Sequence, residues 1–165
     1  PLRPVLRLVS ALVKLTRYER DGTVGYGRTY AVKSGALIGI VPIGYGDGYP
    51  RALSNRADVL IHGRRVPVVG RVSMDMIAVD LSRHAAHARV GDEVVVIGGQ
   101  STDGGRAEWG GPVEARVSVE ELAQLSDTIS YEITCRINDR VPRVFMEGGR
   151  AVAMQTMSDG YRELD

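Results

Sequence analysis

Glycine and proline interrupt this chain so often that long helices are disfavoured. The 165 residues include 20 glycines and 7 prolines, and the apolar runs between these turn residues have the length of strands. Gly35–Pro42 and Glu93–Ile97 are two such runs, typical of buried strands. The pattern predicts a mainly β, β-barrel-like domain of short strands with one short helix. A β-sandwich is the alternative, and a βαβ fold is disfavoured.

The other predicted strands follow from apolar alternation and from the turn residues that separate the runs. They lie at Val5–Leu15, Asp58–His62, Arg65–Val69, Val72–Leu81, Thr128–Arg136 and Val141–Met146. Val5–Leu15 fits a strand or a helix by periodicity alone, and the strand is favoured because β-rich segments follow it. Asp58–His62 and Arg65–Val69 should form a hairpin around His62-Gly63.

The one predicted helix begins after residue 117. Ser118 can cap it, and Glu121, three residues later, completes a capping box. Its apolar stripe consists of Val119, Leu122, Ala123 and Leu125. We expect the helix to end near Ser126 or Asp127, after about two turns.

Composition divides the chain into one domain and two less patterned segments. Gln100–Pro112 is rich in Gly, Ser, Asp and Glu, which predicts an exposed loop. After Gly148-Gly149 the apolar pattern weakens. We therefore predict a β-domain over residues 1–147, with an inserted loop at about 100–112, and a weakly patterned tail over residues 148–165 that frays.

Charge and hydropathy exclude several classes of function. The net charge is only +1 and the arginines are scattered, so we expect no nucleic-acid partner. No apolar run is long enough to span a membrane, and Pro1-Leu2-Arg3-Pro4 does not resemble a signal peptide. We predict a cytoplasmic protein. Because the chain lacks an initial Met, we also expect a piece of something longer or a processed product.

Tyrosines between glycines are the strongest candidates for chemistry. Val24–Tyr30 places Tyr26 between two glycines, and Gly44–Arg51 does the same for Tyr45. Glycine lets a backbone turn sharply or approach another surface closely, so these phenols can face outward. A phenol can act as an acid or base where a neighbouring cation or dipole lowers its pKa from about 10. The alternative is that these tyrosines only flank turns.

The remaining polar groups give weaker signals. Asp47 could accept backbone N–H bonds as an Asx turn, and Asp75 could pair with Arg71. Tyr131 could bond a phosphate or simply lie on a strand.

The histidines His62, His84 and His87 lack metal-ligand spacing and are predicted to be solvated, so we expect no metal. Cys135, the only cysteine, is predicted to be buried.

The order and spacing of several motifs together are more specific than any one of them. They are Val24–Tyr30, Gly44–Arg51, Gly70–Asp75, Thr128–Glu132 and Arg140–Val144. In this order they resemble the C-terminal domain of alanine racemases, and the resemblance runs from Leu2 to about Phe145. That family interconverts L- and D-alanine, supplying D-alanine for peptidoglycan, and uses pyridoxal phosphate bound to a lysine of an N-terminal barrel. Two subunits pair so that the C-terminal domain completes the partner's site.

The resemblance implies a role for each matching residue. Tyr26 matches the catalytic tyrosine, which works on the opposite face of the substrate from the cofactor lysine. Met74 matches a residue whose backbone N–H holds the substrate carboxylate, and Tyr131 matches a tyrosine that bonds the cofactor phosphate. The residues that match those lining the access corridor to the active site are Tyr45, Arg51, Arg71 and Ile129.

The chain departs from the full-length family pattern. It is too short for a (β/α)8 barrel, which needs about 200 residues or more, and neither Lys14 nor Lys33 has the context of a cofactor lysine. We therefore expect a domain that is inactive alone, with alanine, the barrel domain and a second subunit of a homodimer as partners. The alternatives are a broad-specificity or serine racemase domain and a free-standing β-barrel interaction module.

Overall fold

The computed structural model describes residues 4–101 and 115–164, and these residues form a mainly β fold, as predicted. Their strands are β1 (Leu8–Ala11), β2 (Lys14–Arg17), β3 (Gly22–Val24), β4 (Tyr30–Val32), β5 (Leu37–Val41), β6 (Asp58–Ile61), β7 (Arg64–Val69), β8 (Ile77–Asp80), β9 (Glu93–Gln100), β10 (Ala115–Val117), β11 (Arg143–Glu147), β12 (Arg150–Thr156) and β13 (Gly160–Glu163). The α-helices of these residues are α1 (Val119–Leu125) and α2 (Ser130–Cys135). Short 3-10 turns lie at Tyr26–Arg28, Tyr45–Asp47, Arg51–Leu53 and Ser82–His84.

The strands of the described residues pair antiparallel in three sheets. The largest sheet follows the order β1-β9-β6-β7-β8-β5-β2, with β10 added beside β9. A second sheet has the order β11-β12-β13, and β3 pairs with β4 alone. Among the described residues the largest sheet is an open path from β1 to β2. The barrel-like closure that the sequence suggested is therefore not confirmed.

The segment predicted as one strand over Val5–Leu15 is divided into two. Leu12 donates its N–H to the carbonyl of Asp92 at 2.9 Å, and Val13 donates to the carbonyl of Ile40 at the same distance. The two residues thus bond to opposite ends of the sheet path, β1 continuing onto β9 and β2 onto β5. Leu12 is 1% exposed. Its burial anchors the bend between β1 and β2, which the alternation of apolar residues did not predict.

Several predicted elements are confirmed. β6 and β7 form the hairpin around His62-Gly63, where both residues have positive φ as a tight hairpin turn requires. β5 and β9 lie on the two predicted buried runs. α1 begins at the predicted cap, since the Ser118 hydroxyl accepts the N–H of Glu121 at 3.1 Å, and it ends at Leu125.

The strand predicted over Val72–Leu81 starts late. Ser73 forms a tight turn with Met76: the Ser73 N–H donates to the Met76 carbonyl at 3.1 Å, and the Met76 N–H donates to the Ser73 hydroxyl at 3.2 Å. The extended backbone of β8 therefore begins only at Ile77. This turn matters because Met74 lies inside it.

The strand predicted over Thr128–Arg136 is wrong, because this segment forms α2. β-branched and aromatic side chains favour a strand on propensity alone. The segment instead packs against α1 as a helix, and Ile133 is its one buried residue. Glu132 supports the helix by accepting hydrogen bonds from Thr128 and from Arg136. The prediction that Cys135 is buried is also wrong, because the residue is exposed.

The fraying tail is also corrected. Residues 150–163 form β12 and β13, and Met154 is paired with Val144 on one side and Arg162 on the other. Alternation in this segment is weak because most of its side chains are exposed on both faces. The predicted loop Gln100–Pro112 lies outside the described residues except for Gln100, which ends β9, and Ser101. No helix of the described residues combines the length and apolarity that a membrane crossing requires.

Among the described residues, two clusters of buried side chains hold the strands and helices together. The larger cluster combines side chains from the strands of the main sheet with side chains from α1 and α2. The smaller consists of Val24, Val32, Ile38, Val69 and Ala78. It packs the β3–β4 hairpin onto β5, β7 and β8, and each buried valine contributes roughly 1.5–3 kcal/mol to that attachment. The hairpin that carries Tyr26 is therefore fixed to the sheet.

Candidate functional site

Antiparallel register brings two loops to one edge of the main sheet. Val41, the last residue of β5, is paired with Ile77, the first of β8, while Val69 at the end of β7 is paired with Ala78. The segments that leave β5 and β7 and enter β8 must therefore start beside one another. They are residues 42–50 and 70–76, which contain three of the seven predicted site residues: Tyr45, Arg71 and Met74.

The turn of the β3–β4 hairpin presents Tyr26 to the outside. Gly25 and Gly27 have φ of 73° and 71°, a left-handed conformation that glycine adopts without strain. A Cβ on Gly25 would lie 3.1 Å from the backbone nitrogen of Arg71, and one on Gly70 would lie 2.9 Å from the carbonyl oxygen of Val24. The two backbones are thus in direct contact, which places Tyr26 beside Arg71 with its side chain 76% exposed.

Asn55 ties these segments together from the side. Its backbone is left-handed at φ 59°. Its side-chain oxygen accepts the Gly70 N–H at 2.5 Å, and its side-chain nitrogen donates to the Thr29 hydroxyl at 3.1 Å. Thr29 follows the turn that carries Tyr26, so Asn55 fixes that turn against the 70–76 segment. Sequence reasoning missed this residue; an Asn at a turn was the only local signal.

The 44–48 loop lies against the turn that carries Met74. Tyr45 donates its N–H to the carbonyl of Ser73 at 3.0 Å, and Gly46 donates to the carbonyl of Met74 at 2.8 Å. Within the described residues the backbone N–H of Met74 has no hydrogen-bond acceptor. The structure therefore leaves an unused amide donor next to Tyr45, where the resemblance implied a carboxylate-binding amide.

Arg51 is joined to the same region through a buried serine. Ser54 is 7% exposed. Its hydroxyl donates to the Arg51 carbonyl at 2.6 Å and accepts the Val72 N–H at 3.0 Å. The 3-10 turn that begins at Arg51 is thereby attached to the residue after Arg71. Five of the predicted site residues now belong to one set of connected loops: Tyr26, Tyr45, Arg51, Arg71 and Met74.

Ile129 and Tyr131 lie at the start of α2. Their side chains are 62% and 76% exposed. Tyr131 lines a largely apolar groove with Ser130 and Thr134. The far end of α2 meets the 44–48 loop, because a Cβ on Gly48 would collide with the carbonyl of Arg136. The helix thus connects Tyr131 to the other site residues through its C-terminal end.

Asp47 and Asp75 have partners that the sequence only partly predicted. Asp47 accepts a backbone N–H within its loop, as predicted, but the donor is Gly44 at 2.8 Å, three residues earlier, whereas an Asx turn would bond an N–H two residues later. Asp75 pairs with Arg140 at 2.6 Å and not with Arg71, the neighbour suggested from the sequence. The same Arg140 also bonds Asp47 at 2.7 Å. No local pattern could have found Arg140, because its two partners are 93 and 65 residues away.

Two of the three histidines are less solvated than predicted: His62 and His84 are half-buried, whereas His87 is exposed. His62, His84 and His87 line one groove, and the His62 Nε2 atom is 3.2 Å from the carboxylate of Asp92. Burial, followed by the charge of nearby Arg64, lowers the pKa of His84. Within residues 4–101 and 115–164 no three His, Cys, Asp or Glu side chains are arranged to hold a metal ion.

Fold and loops together define a mainly β domain that presents a fixed, outward-facing phenol and an unused amide at one sheet edge. The chain belongs to the alanine racemase family: the family profile described as "Alanine racemase, C-terminal domain" matches residues 5–145. It is 44% identical over 147 residues to the alanine racemase of Syntrophobacter fumaroxidans, a match covering 89% of this chain and 36% of the relative. It is 42% identical over 157 residues to alanine racemase 2 of Bacillus subtilis, covering 94% and 36%.

Solved structures agree. The crystal structure of alanine racemase from Bacillus anthracis with bound L-Ala-P superposes with a TM-score of 0.81 at 34% identity, covering 94% of this chain and 36% of that one. Alanine racemase from Bartonella henselae with covalently bound pyridoxal phosphate gives 0.67 at 26% identity, covering 80% and 32%. The chain thus spans about a third of the length of the relatives it matches.

The side chains present fit a part of a pyridoxal phosphate site. The cofactor needs a lysine for its aldehyde and donors for its phosphate. Lys33 is bonded to the Asp21 carboxylate at 2.7 Å, and Lys14 lies on β2, so neither lysine is on the loops that carry Tyr26 and Met74. The exposed Tyr131 phenol makes no hydrogen bond within the described residues and is a suitable donor to a phosphate oxygen.

Proposed function

We propose that this chain is the C-terminal domain of a pyridoxal-phosphate-dependent alanine racemase and contributes Tyr26 to the active site of the partner subunit in a homodimer. The reaction interconverts L- and D-alanine and so supplies D-alanine for peptidoglycan in the cytoplasm. Family membership supports this proposal, as does the share of its relatives that the chain spans. The remaining two thirds would supply the cofactor lysine and most of the substrate pocket.

The observation that carries the proposal is the setting of Tyr26. Tyr26 is 76% exposed, yet its loop is fixed by the Gly25–Arg71 backbone contact and by the Asn55 hydrogen bonds. A surface tyrosine with no function needs no such anchoring. Racemisation needs two acid–base groups on opposite faces of the substrate α-carbon. A rigid phenol that faces outward can supply the second group to a site on another subunit.

Other residues of the chain bind and orient the substrate and cofactor in this scheme. The unused Met74 N–H donates to the substrate carboxylate, and the Tyr131 phenol donates to the cofactor phosphate. When bound, the cofactor withdraws electrons from the α-carbon and so acidifies its proton. Tyr45, Arg51, Arg71 and Ile129 line the access corridor.

The test removes the hydroxyl group of Tyr26. In the full-length protein that carries this chain, Tyr26→Phe should leave folding intact and lower alanine racemisation by roughly 10²–10⁴-fold, the contribution of one acid–base group. Tyr161→Phe is the matched control, because Tyr161 is also exposed, at 61%, and lies on β13. The isolated chain with added pyridoxal phosphate should be inactive. Full activity of Tyr26→Phe would refute the role of Tyr26, and turnover by the isolated chain would refute the need for a second domain.

A further inference from the structure

Arg140 joins the two loops on which the proposed substrate contact depends. Its Nε atom donates to Asp47 at 2.7 Å and its Nη2 atom donates to Asp75 at 2.6 Å. The Asp47 and Asp75 hydrogen bonds raise the pKa of Arg140 above its usual value, so the guanidinium is charged at any working pH. A single planar side chain thus holds a carboxylate from each loop, a geometry that suits arginine and not lysine.

Each aspartate is also linked to the backbone of its own loop. Asp47 accepts the N–H of Gly44 through its second oxygen at 2.8 Å, and its carbonyl accepts the N–H of Asn138 at 3.1 Å. Asp75 directly follows Met74. A Cβ on Gly46 would lie 2.9 Å from Nη2 of Arg140, so the guanidinium packs over this glycine. The bridge therefore fixes both the side chains and the backbones of the two loops.

Peptide geometry then sets the direction of the unused amide. The peptide bonds of the described residues are trans, so the C=O and the N–H of one peptide unit point in opposite directions. The Ser73 carbonyl points at the Tyr45 N–H, 3.0 Å away. The Met74 N–H, in the same peptide unit, must then point away from the 44–48 loop. Whatever holds the two loops in register also aims this donor.

We propose that Arg140 is a positioning residue: by bridging Asp47 and Asp75 it aims the Met74 amide at the substrate carboxylate. This inference rests on the function proposed above. Within the described residues Arg140 makes no hydrogen bond or ion pair with Tyr26 or its loop; that loop is held by Gly70 and Asn55. Loss of the bridge should weaken substrate binding and leave proton transfer at Tyr26 nearly intact.

The experiment uses the full-length protein with Arg140→Ala. Loss of a contact that is made equally in the ground and transition states raises KM without lowering kcat, and the proposal assigns the Met74 amide to this kind of contact. We expect KM for alanine to rise roughly tenfold, the factor for about one charge-assisted hydrogen bond, with kcat changed by less than about twofold. Added guanidinium ion at millimolar concentration should partly restore KM. Amide exchange at Tyr45 and Gly46, whose N–H groups bond the Met74 turn, should become faster.

Arg143→Ala is the matched control. The Arg143 side chain is 36% exposed, against 35% for Arg140, and it pairs with Asp139 at 3.1 Å. It should change neither KM nor exchange at Tyr45 and Gly46. An unchanged KM in Arg140→Ala, or a fall in activity without guanidinium rescue, overturns the positioning role. Failure of the proposed function is distinguishable, because it would appear as no alanine racemisation by the wild-type protein or as full activity of Tyr26→Phe.

Discussion

Gly44→Ala tests how tightly the two site loops must approach. Gly44 has φ of −150°, an extended backbone that alanine adopts without strain. The added Cβ would instead collide with the carbonyl oxygens of Ser73 and Met74. Both obstacles are backbone atoms, which cannot rotate away as a flexible side chain would. The loops must therefore separate.

The cost can be worked out from the contacts that separation removes. The hydrogen bonds from Tyr45 to Ser73 at 3.0 Å and from Gly46 to Met74 at 2.8 Å would be lost, at about 1 kcal/mol each. Strain from the extra carbon adds about 1–3 kcal/mol. We expect a total loss of about 3–5 kcal/mol, a large part of the roughly 5–15 kcal/mol that stabilises a typical domain.

Urea denaturation followed by circular dichroism measures this loss as a change in the free energy of unfolding. Gly35→Ala is the matched control, because Gly35 has φ of +86° and no atom within 4 Å of its added Cβ. That control pays only the left-handed backbone penalty of about 1–2 kcal/mol. If Gly44→Ala proved no more destabilising than Gly35→Ala, the contact between the loops would not be close-packed and the reasoning would fail.

Two further changes test an ion pair between β7 and α1 and the side-chain support of the Tyr26 turn. Arg65 holds Glu121 at 2.6 Å, and this hydrogen bond lowers the pKa of Glu121 from its ordinary 4.5. The pair therefore stabilises the fold fully above pH 4.5 and stops doing so as the pH falls through the lowered value. Arg65→Gln should cost about 0.5–1 kcal/mol at pH 7, since both groups are partly exposed, and much less in acid; equal losses at both pH values would contradict this. Asn55→Ala should cost about 2–3 kcal/mol by removing the bonds to Gly70 and Thr29, and Asn55→Gly, which relieves the left-handed φ, should cost less; thermal unfolding distinguishes them, and equal losses would show that backbone strain is negligible there.

The sequence predicted those parts of the fold that depend on neighbouring residues. The Ser118 cap, the His62-Gly63 hairpin and the buried runs of β5 and β9 are local signals, and all three are present. α2 was missed because its β-branched residues favour a strand, while packing of Ile133 against the rest of the domain selects a helix. Tertiary packing outweighs such propensities, which span only about 1 kcal/mol.

The candidate site shows the same division. Glycines around Tyr26 and Tyr45 predicted turns that expose these residues. Tyr26 is 76% exposed and Tyr45 is 49% exposed. The supports of the turns could not be predicted, because they depend on antiparallel register and on pairs far apart in sequence. Asn55 and Arg140 became visible only once β5, β7 and β8 had brought their loops to one edge.

The supports also explain why the loops can be both exposed and rigid. A loop that must meet another subunit cannot be held by burying its own tip, so it has to be held from behind. Here Gly25, Gly44 and Gly70 allow backbone-to-backbone contact behind the tips, and Arg140 adds a charged bridge. Substitutions behind the loops should therefore impair the proposed site measurably, although none of these residues would touch the substrate.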